Sequence, residues 1–273
     1  MPERPRVFIT RSLPGDALER LAEETDVDLW RSDVPPGALT LRERTHDADG
    51  IVCLLTDRID ARLIETAPKL RVISNVAVGY DNVDIAAATA RGIPVGNTPG
   101  VLTETTADLA WALMLAVARR VVEAERFVRE SRWRTWDPNL LLGHDVHGAT
   151  LGIVGLGKIG RAVARRARGF DMRVLFSGGS GGEDEIDGAR RVELDELLRE
   201  SDFVSLHVPL TPETHHMIGE AQMRMMKPSA ILINTARGPV IDQKALVGAL
   251  AEGWIAGAGL DVAEVEPIPA GDA

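Results

Sequence analysis

Gly155, Gly157 and Gly160 stand at Gly-x-Gly-x-x-Gly spacing directly after the apolar run Leu151-Gly152-Ile153-Val154, and Arg161 onward reads as a helix. Strand, glycine turn and helix in that order are what the pyrophosphate of a dinucleotide requires. Gly155 permits a tight turn, Gly157 lets the backbone approach the phosphates, and Gly160 lets the helix pack on the strand. The helix N-terminus then offers unpaired N–H groups and a partial positive charge to the anion. About twenty residues further on, an acidic side chain would hold a ribose 2′-hydroxyl and an arginine would pair a 2′-phosphate. The chain has Phe176-Ser177-Gly178-Gly179-Ser180 there and supplies neither. Glu183, Asp184, Glu185 and Asp187 follow, and their charge opposes a phosphate.

A second candidate lies at Asn75-Val76-Ala77-Val78-Gly79-Tyr80, directly after a strand signal. Consecutive backbone N–H groups at Val78 and Gly79 could cradle a small anion as a nest, or the segment could be a plain strand-to-helix turn. The six histidines, His46, His144, His147, His207, His215 and His216, show no metal-ligand spacing, so no metal site is expected. Cys53 is the single cysteine and cannot form an intramolecular disulfide, which fits a reducing compartment. The net charge of −10 argues against nonspecific binding to nucleic acid or an anionic membrane. The near-apolar stretch 109–118 is too short to span a bilayer, and no signal-peptide core precedes the strand signal at 7–10. A soluble, cytoplasmic protein is expected.

The elements that must position these groups alternate. Strands are expected at 6–10, 50–55, 70–75 and 93–95, with helices at 15–24, 60–67 and 83–91. The breaker cluster Asn97-Thr98-Pro99-Gly100 reads as a hinge, dividing a first domain over 1–98 from a second over 99–273. A single long helix is expected over 105–129, with Thr105 and Asp108 at capping-box spacing. Its first half is apolar on every side and should be buried all round, inside the domain or at a subunit interface. The irregular segment 131–148 carries Trp133 and Trp136, which should pack against something. Beyond the glycines come strand 172–176, a loop over 177–188, helix 194–199, strand 202–208, helix 220–226, strand 230–235, helix 243–252 and strand 255–262. Short apolar runs alternating with helices imply an α/β protein of two doubly wound parallel-sheet domains.

With the glycine motif, Ser205-Leu-His-Val-Pro-Leu-Thr211, Ile233-Asn-Thr-Ala-Arg-Gly-Pro-Val-Ile-Asp242 and Gly259-Leu-Asp-Val-Ala-Glu-Val-Glu-Pro267 resemble the D-isomer-specific 2-hydroxyacid dehydrogenases. The resemblance runs from about Arg6 to Ala273. Cys53-Leu-Leu-Thr-Asp57, 75–84 and Trp133-x-x-Trp136 look most like the glyoxylate/hydroxypyruvate reductase branch. The resemblance implies a flavodoxin-like substrate domain, a Rossmann NAD(P)-binding domain and reduction of a small 2-keto acid in an interdomain cleft. It implies that Arg237 holds and polarises the substrate, since a guanidinium fork matches both a carboxylate and a carbonyl oxygen. Val78 and Gly79 then match a carboxylate cradle, Leu54 lines the pocket, and Trp136 either reaches a partner subunit's pocket or packs locally. Implied cofactor contacts come from Thr106, Gly155, Leu156, Gly157, Lys158, Ile159, Gly160, Ser177, Gly178, His207, Val208, Pro209, Thr214, Thr235 and Ala236. Asp261 would position the nicotinamide carboxamide, although a capping or salt-bridged aspartate is the ordinary alternative. A homodimer is implied, and NADPH is slightly favoured over NADH.

Glu266 matches the carboxylate that supports a histidine general acid, and that histidine would follow roughly two dozen residues later. The chain ends at Ala273, so a C-terminally shortened protein without the return segment of its first domain is expected. Its activity would be impaired by on the order of 10²–10⁴ if water supplies the proton. The alternatives are a dinucleotide-binding sensor without turnover and a dehydrogenase for another acid, such as phosphoglycerate or D-lactate.

Overall fold

In the computed structural model, residues 4–179, 185–186 and 188–271 are described, and they form two compact units, residues 1–101 and 102–273. The first unit is built from β1 (Arg6–Ile9), α1 (Ala17–Glu24), β2 (Asp26–Leu29), α2 (Ala38–His46), β3 (Gly50–Cys53), α3 (Ala61–Thr66), β4 (Val72–Asn75), α4 (Ile85–Ala90) and β5 (Val95–Gly96). Its five strands are all parallel in the order β2-β1-β3-β4-β5. This is the flavodoxin-like arrangement, with its switch point between β1 and β3. Phe8, Ile51, Leu63, Ile64 and Ile73 are fully buried at its centre. The carboxylates of Asp60 and Asp84 cap α3 and α4 by accepting from Leu63 N and Ala87 N.

β2 and α2 escape the sequence pattern for a physical reason. β2 is the four-residue Asp-Val-Asp-Leu on the sheet edge, an alternation too short to stand out, and α2 buries only Leu41 and Thr45. β1's register supplies the missing information, Val7 lying beside Val27.

The second unit contains α5 (Thr103–Ala118), α6 (Val121–Arg129), β6 (Thr150–Val154), α7 (Lys158–Ala167), β7 (Arg173–Ser177), β8 (Glu185–Ile186), β9 (Ala189–Arg191), α8 (Leu194–Glu200), β10 (Phe203–Leu206), α9 (Glu220–Met225), β11 (Ile231–Asn234), α10 (Gln243–Ala251) and β12 (Gly257–Leu260). The sheet runs β12-β11-β10-β6-β7-β9-β8, parallel except for the short β8–β9 pair. Without β8 this is the doubly wound Rossmann order, switching between β6 and β10. The expected loop over 177–188 therefore contains a strand; Ser180, Glu183, Asp184 and Asp187 lie outside the described residues.

The expected long helix is two helices. His144 N takes the Ala118 carbonyl at 2.8 Å, an acceptor a continuing helix would need, and Arg120 adopts left-handed φ 53°. Gly143 allows this docking, since a Cβ there would lie 2.3 Å from the Ala118 oxygen. α5 starts two residues earlier than expected, and no side chain caps it. Asp108 instead receives Arg166 of α7 at 2.6 Å. α5 is also not buried all round. Ala107, Ala110, Trp111, Met114 and Ala118 face the core, while Leu109 stays 37% exposed.

Candidate active site

The glycine turn forms at the switch point of the second unit. Gly155 follows β6 at φ 95°, and its N–H reaches Ser177 O at the end of β7 at 2.8 Å. A Cβ there would lie 2.8 Å from His207 backbone atoms and from Val208 Cγ1. Only glycine fits, by conformation and by space. At Gly160 a Cβ would meet Gly155 O at 2.3 Å, so this glycine sets the close approach of α7 to its strand. At Gly157, the N-cap of α7, nothing lies within 4 Å of the Cβ position. That opening sits where the N–H groups of the first helical turn, beginning at Lys158 and Ile159, lack intrahelical acceptors. The three positions thus divide into turn, phosphate approach and helix packing, and they fit a dinucleotide pyrophosphate. Leu156 between them is buried. Beyond β7, Ser177 leads into Gly178 and Gly179, both with positive φ.

The ends of β10 and β11 complete this rim. His207 follows β10, its Nε2 2.9 Å from Ser205 Oγ. Burial pushes its imidazole down to about 4, so the ring is neutral at pH 7. Pro209 and Thr214 are joined directly, Thr214 Oγ1 donating to Pro209 O at 2.6 Å. After β11, Thr235 Oγ1 is buried with no partner among the described residues, a polar atom left for a bound group. Thr106 lies in the first turn of α5, which packs beside α7 through Trp111 Nε1 and Val163 O at 3.2 Å.

Asn234 ties together the loops that follow β11 and β12. Its Oδ1 accepts from Ala236 N at 3.0 Å, its Nδ2 donates to Arg237 O at 2.9 Å, and its carbonyl accepts from Asp261 N at 3.0 Å. Arg237 and Asp261 therefore stand on neighbouring loops at the carboxyl ends of β11 and β12. Gly238 packs against the second loop so closely that a Cβ would lie 1.8 Å from Ala263 O. Glu266 turns back onto that loop, Oε1 accepting from Ala263 N at 2.9 Å. His216 Nε2 is 2.9 Å from Glu264 Oε1, and Glu264 Oε2 also accepts from Gln243 N at 3.2 Å. This Glu264 brace is not legible from spacing, because 48 residues separate its members.

In the first unit the structure brings Leu54, Val78 and Gly79 together at the carboxyl ends of β3 and β4. Asn82 Nδ2 donates to Leu54 O at 3.0 Å and approaches Asn75 Oδ1 at 3.3 Å. Asn75 Nδ2 donates to Gly79 O at 2.9 Å. Asp57, 3% exposed, accepts from Thr10 Oγ1 at 2.5 Å and from Leu54 N at 2.8 Å. Cys53 is inert here, its thiol pushed up to about 12, chiefly by burial and further by Asp57. Trp136 departs from the local-packing expectation, being 78% exposed, with Trp133 61% exposed. Among the described residues no group of three or more His, Cys, Asp or Glu could hold a metal ion, and no helix is long and apolar enough to cross a membrane.

Comparison with known proteins supports the same chemistry. Residues 111–273 match the model of the D-isomer specific 2-hydroxyacid dehydrogenase NAD binding domain. The chain is 60% identical to the glyoxylate reductase of Korarchaeum cryptofilum, over 98% of this chain and 82% of that protein. Among solved structures it resembles the TT0316 protein of Thermus thermophilus, with 49% identity and a TM-score of 0.90 over 98% of this chain and 85% of that one. It also resembles the NADPH-dependent glyoxylate/hydroxypyruvate reductase of Sinorhizobium meliloti in complex with NADP and malonate, with 33% identity and a TM-score of 0.83 over 98% and 82%. A glycine turn shaped for a dinucleotide, an arginine and two acids on adjoining loops, and matches spanning nearly the whole chain place the protein in the D-isomer-specific 2-hydroxyacid dehydrogenase family.

Proposed function

We propose that the protein reduces glyoxylate, or the related hydroxypyruvate, to the 2-hydroxy acid with NADPH or NADH. The observation that carries this is the Asn234 junction, which sets Arg237 and Asp261 side by side at the rim that also holds the glycine turn. Arg237 forks onto the carbonyl oxygen and carboxylate of the keto acid, drawing charge from C2. Within the first unit, Val78 and Gly79 offer backbone N–H groups suited to a carboxylate, with Leu54 at the neighbouring strand end. Asp261 orients the carboxamide of the nicotinamide. The bound nicotinamide supplies the hydride. Glu266 supports protonation of the developing alkoxide by holding an imidazole in its charged form. Among the described residues Glu266 has its hydrogen bond from Ala263 N and none from a histidine.

The slight preference for NADPH rests on the resemblance to the glyoxylate/hydroxypyruvate reductase branch, since Ser177 and Gly178 at the end of β7 supply neither an acid for a 2′-hydroxyl nor an arginine for a 2′-phosphate. A homodimer is supported by the uncovered Trp133, Trp136 and Leu109, with Trp136 serving the partner's pocket. The reading is tested by fluorescence titration with NADPH and NADH, followed by glyoxylate turnover on the same sample. Binding of NADPH at least as tight as NADH, followed by glyoxylate turnover, is the expected result. Tight cofactor binding with no turnover under any condition would point to a dinucleotide sensor instead.

A further inference from the structure

We propose that Asn97 and Asn75 are positioning residues that make the Val78–Gly79 segment an anion site, an inference that rests on the proposed carboxylate cradle. A trans peptide holds its C=O and N–H antiparallel, so fixing a carbonyl also aims the next residue's N–H. Three successive carbonyls of this segment are fixed. Ala77 O accepts from Thr98 N at 2.9 Å, Val78 O accepts from Asn97 Nδ2 at 2.8 Å, and Gly79 O accepts from Asn75 Nδ2 at 2.9 Å. The N–H groups of Val78, Gly79 and Tyr80 belong to these same three peptides and are therefore turned away from the donors. Among the described residues nothing accepts from the N–H groups of Val78 and Gly79.

In a continuing strand, successive carbonyls would alternate from side to side. Here consecutive residues, Asn97 and Thr98, take the consecutive carbonyls of Val78 and Ala77, which leaves the N–H groups of Val78 and Gly79 on the side away from those donors. The two asparagines are held differently. Asn75 is 1% exposed, and its amide is oriented by Asn82, whose Oδ1 it approaches at 3.1 Å, and by the Cys53 thiol at 3.5 Å from its Oδ1. Asn97 is only partly buried, and among the described residues its side chain has this one hydrogen bond. It can be replaced with little consequence for folding, so it carries the test.

The test uses the full chain labelled with ¹⁵N, saturated with NADP⁺ and titrated with glyoxylate. In the unaltered protein the Val78 and Gly79 amide signals should move with saturation. Asn97→Ala should bind glyoxylate about tenfold more weakly, which corresponds to one hydrogen bond's worth of organisation, with NADP⁺ affinity and melting temperature unchanged. In steady state its KM should rise by a similar factor while kcat changes less than twofold, a split that general loosening of the fold would not produce. Asn97→Gln, which keeps the amide donor, should recover part of the affinity. If the unaltered protein shows the Val78 and Gly79 shifts and Asn97→Ala binds equally well, the positioning role is overturned while the cradle stands. If the unaltered protein binds or reduces glyoxylate without those shifts, or does not bind it at all, the cradle and the positioning role fall together.

Discussion

Arg237 is held by its own backbone as much as by its side chain. Asn234 fixes its carbonyl, and Nη1 donates to Ala236 O at 2.9 Å, so the guanidinium leaves the strand end in a defined direction. Arg237→Lys keeps the charge and loses the planar fork. Steady-state kinetics should show kcat/KM for glyoxylate falling ~10²-fold, with NADPH affinity unchanged by fluorescence. His207 makes a separate prediction about pH. Its folded-state value, about 4, lies below the 6.5 of an exposed histidine, so the unfolded chain binds the extra proton first. Its contribution to stability is complete above pH 6.5 and is lost as pH falls towards 4, by roughly 3 kcal/mol in all. Denaturant melts of the unaltered protein and of His207→Gln across about pH 4–7 should show the variant with a shallower acid slope. Equal slopes would mean that His207 titrates normally.

The elements transmit these residue positions through glycines more than through side chains. The loop after β11 and the loop after β12 touch at Gly238 and Ala263, where no Cβ fits. Gly238→Ala should separate them, costing about 1–3 kcal/mol and lowering the melting temperature by several degrees. Because Arg237 and Asp261 stand on the two separated loops, glyoxylate turnover should fall further than the stability loss explains. Wild-type turnover with a lowered melting temperature would show that the junction is structural only. The division of the expected long helix into α5 and α6 belongs to this scale as well. Its cause is a hydrogen bond to Ala118 from the distant His144, and no local propensity at 119–120 announces it.

At the scale of the whole molecule, surface that a single chain leaves open is informative. Trp136 at 78% exposure and Trp133 at 61% are large apolar groups that soluble monomers seldom present together. Light scattering should give a mass of two chains, and Trp136→Ala should weaken the dimer or raise KM for glyoxylate. A monomer of unchanged activity would remove Trp136 from the site.

Much of this was legible beforehand because it depends on local chemistry. The glycine spacing specified turn, approach and packing, and the structure shows a positive-φ turn at Gly155, open space at Gly157 and close helix packing at Gly160. Alternation of apolar runs with helices specified two doubly wound sheets, since a parallel strand pair needs a crossover. Edge-lying β2, only four residues long, and weakly apolar α2 were not legible, because a short alternation and two buried residues do not stand out without their neighbours β1 and α3. The roles of Asn75, Asn97, Asn234 and Glu264 were not legible either. Each acts through a hydrogen bond whose geometry depends on how separate loops meet at the sheet ends. Sequence alone determined which residue types were available and in what order the strands and helices came. The tertiary structure decided which carbonyls, amides and carboxylates came within about 3 Å of one another, because hydrogen bonds depend on distance and direction that one-dimensional spacing does not encode.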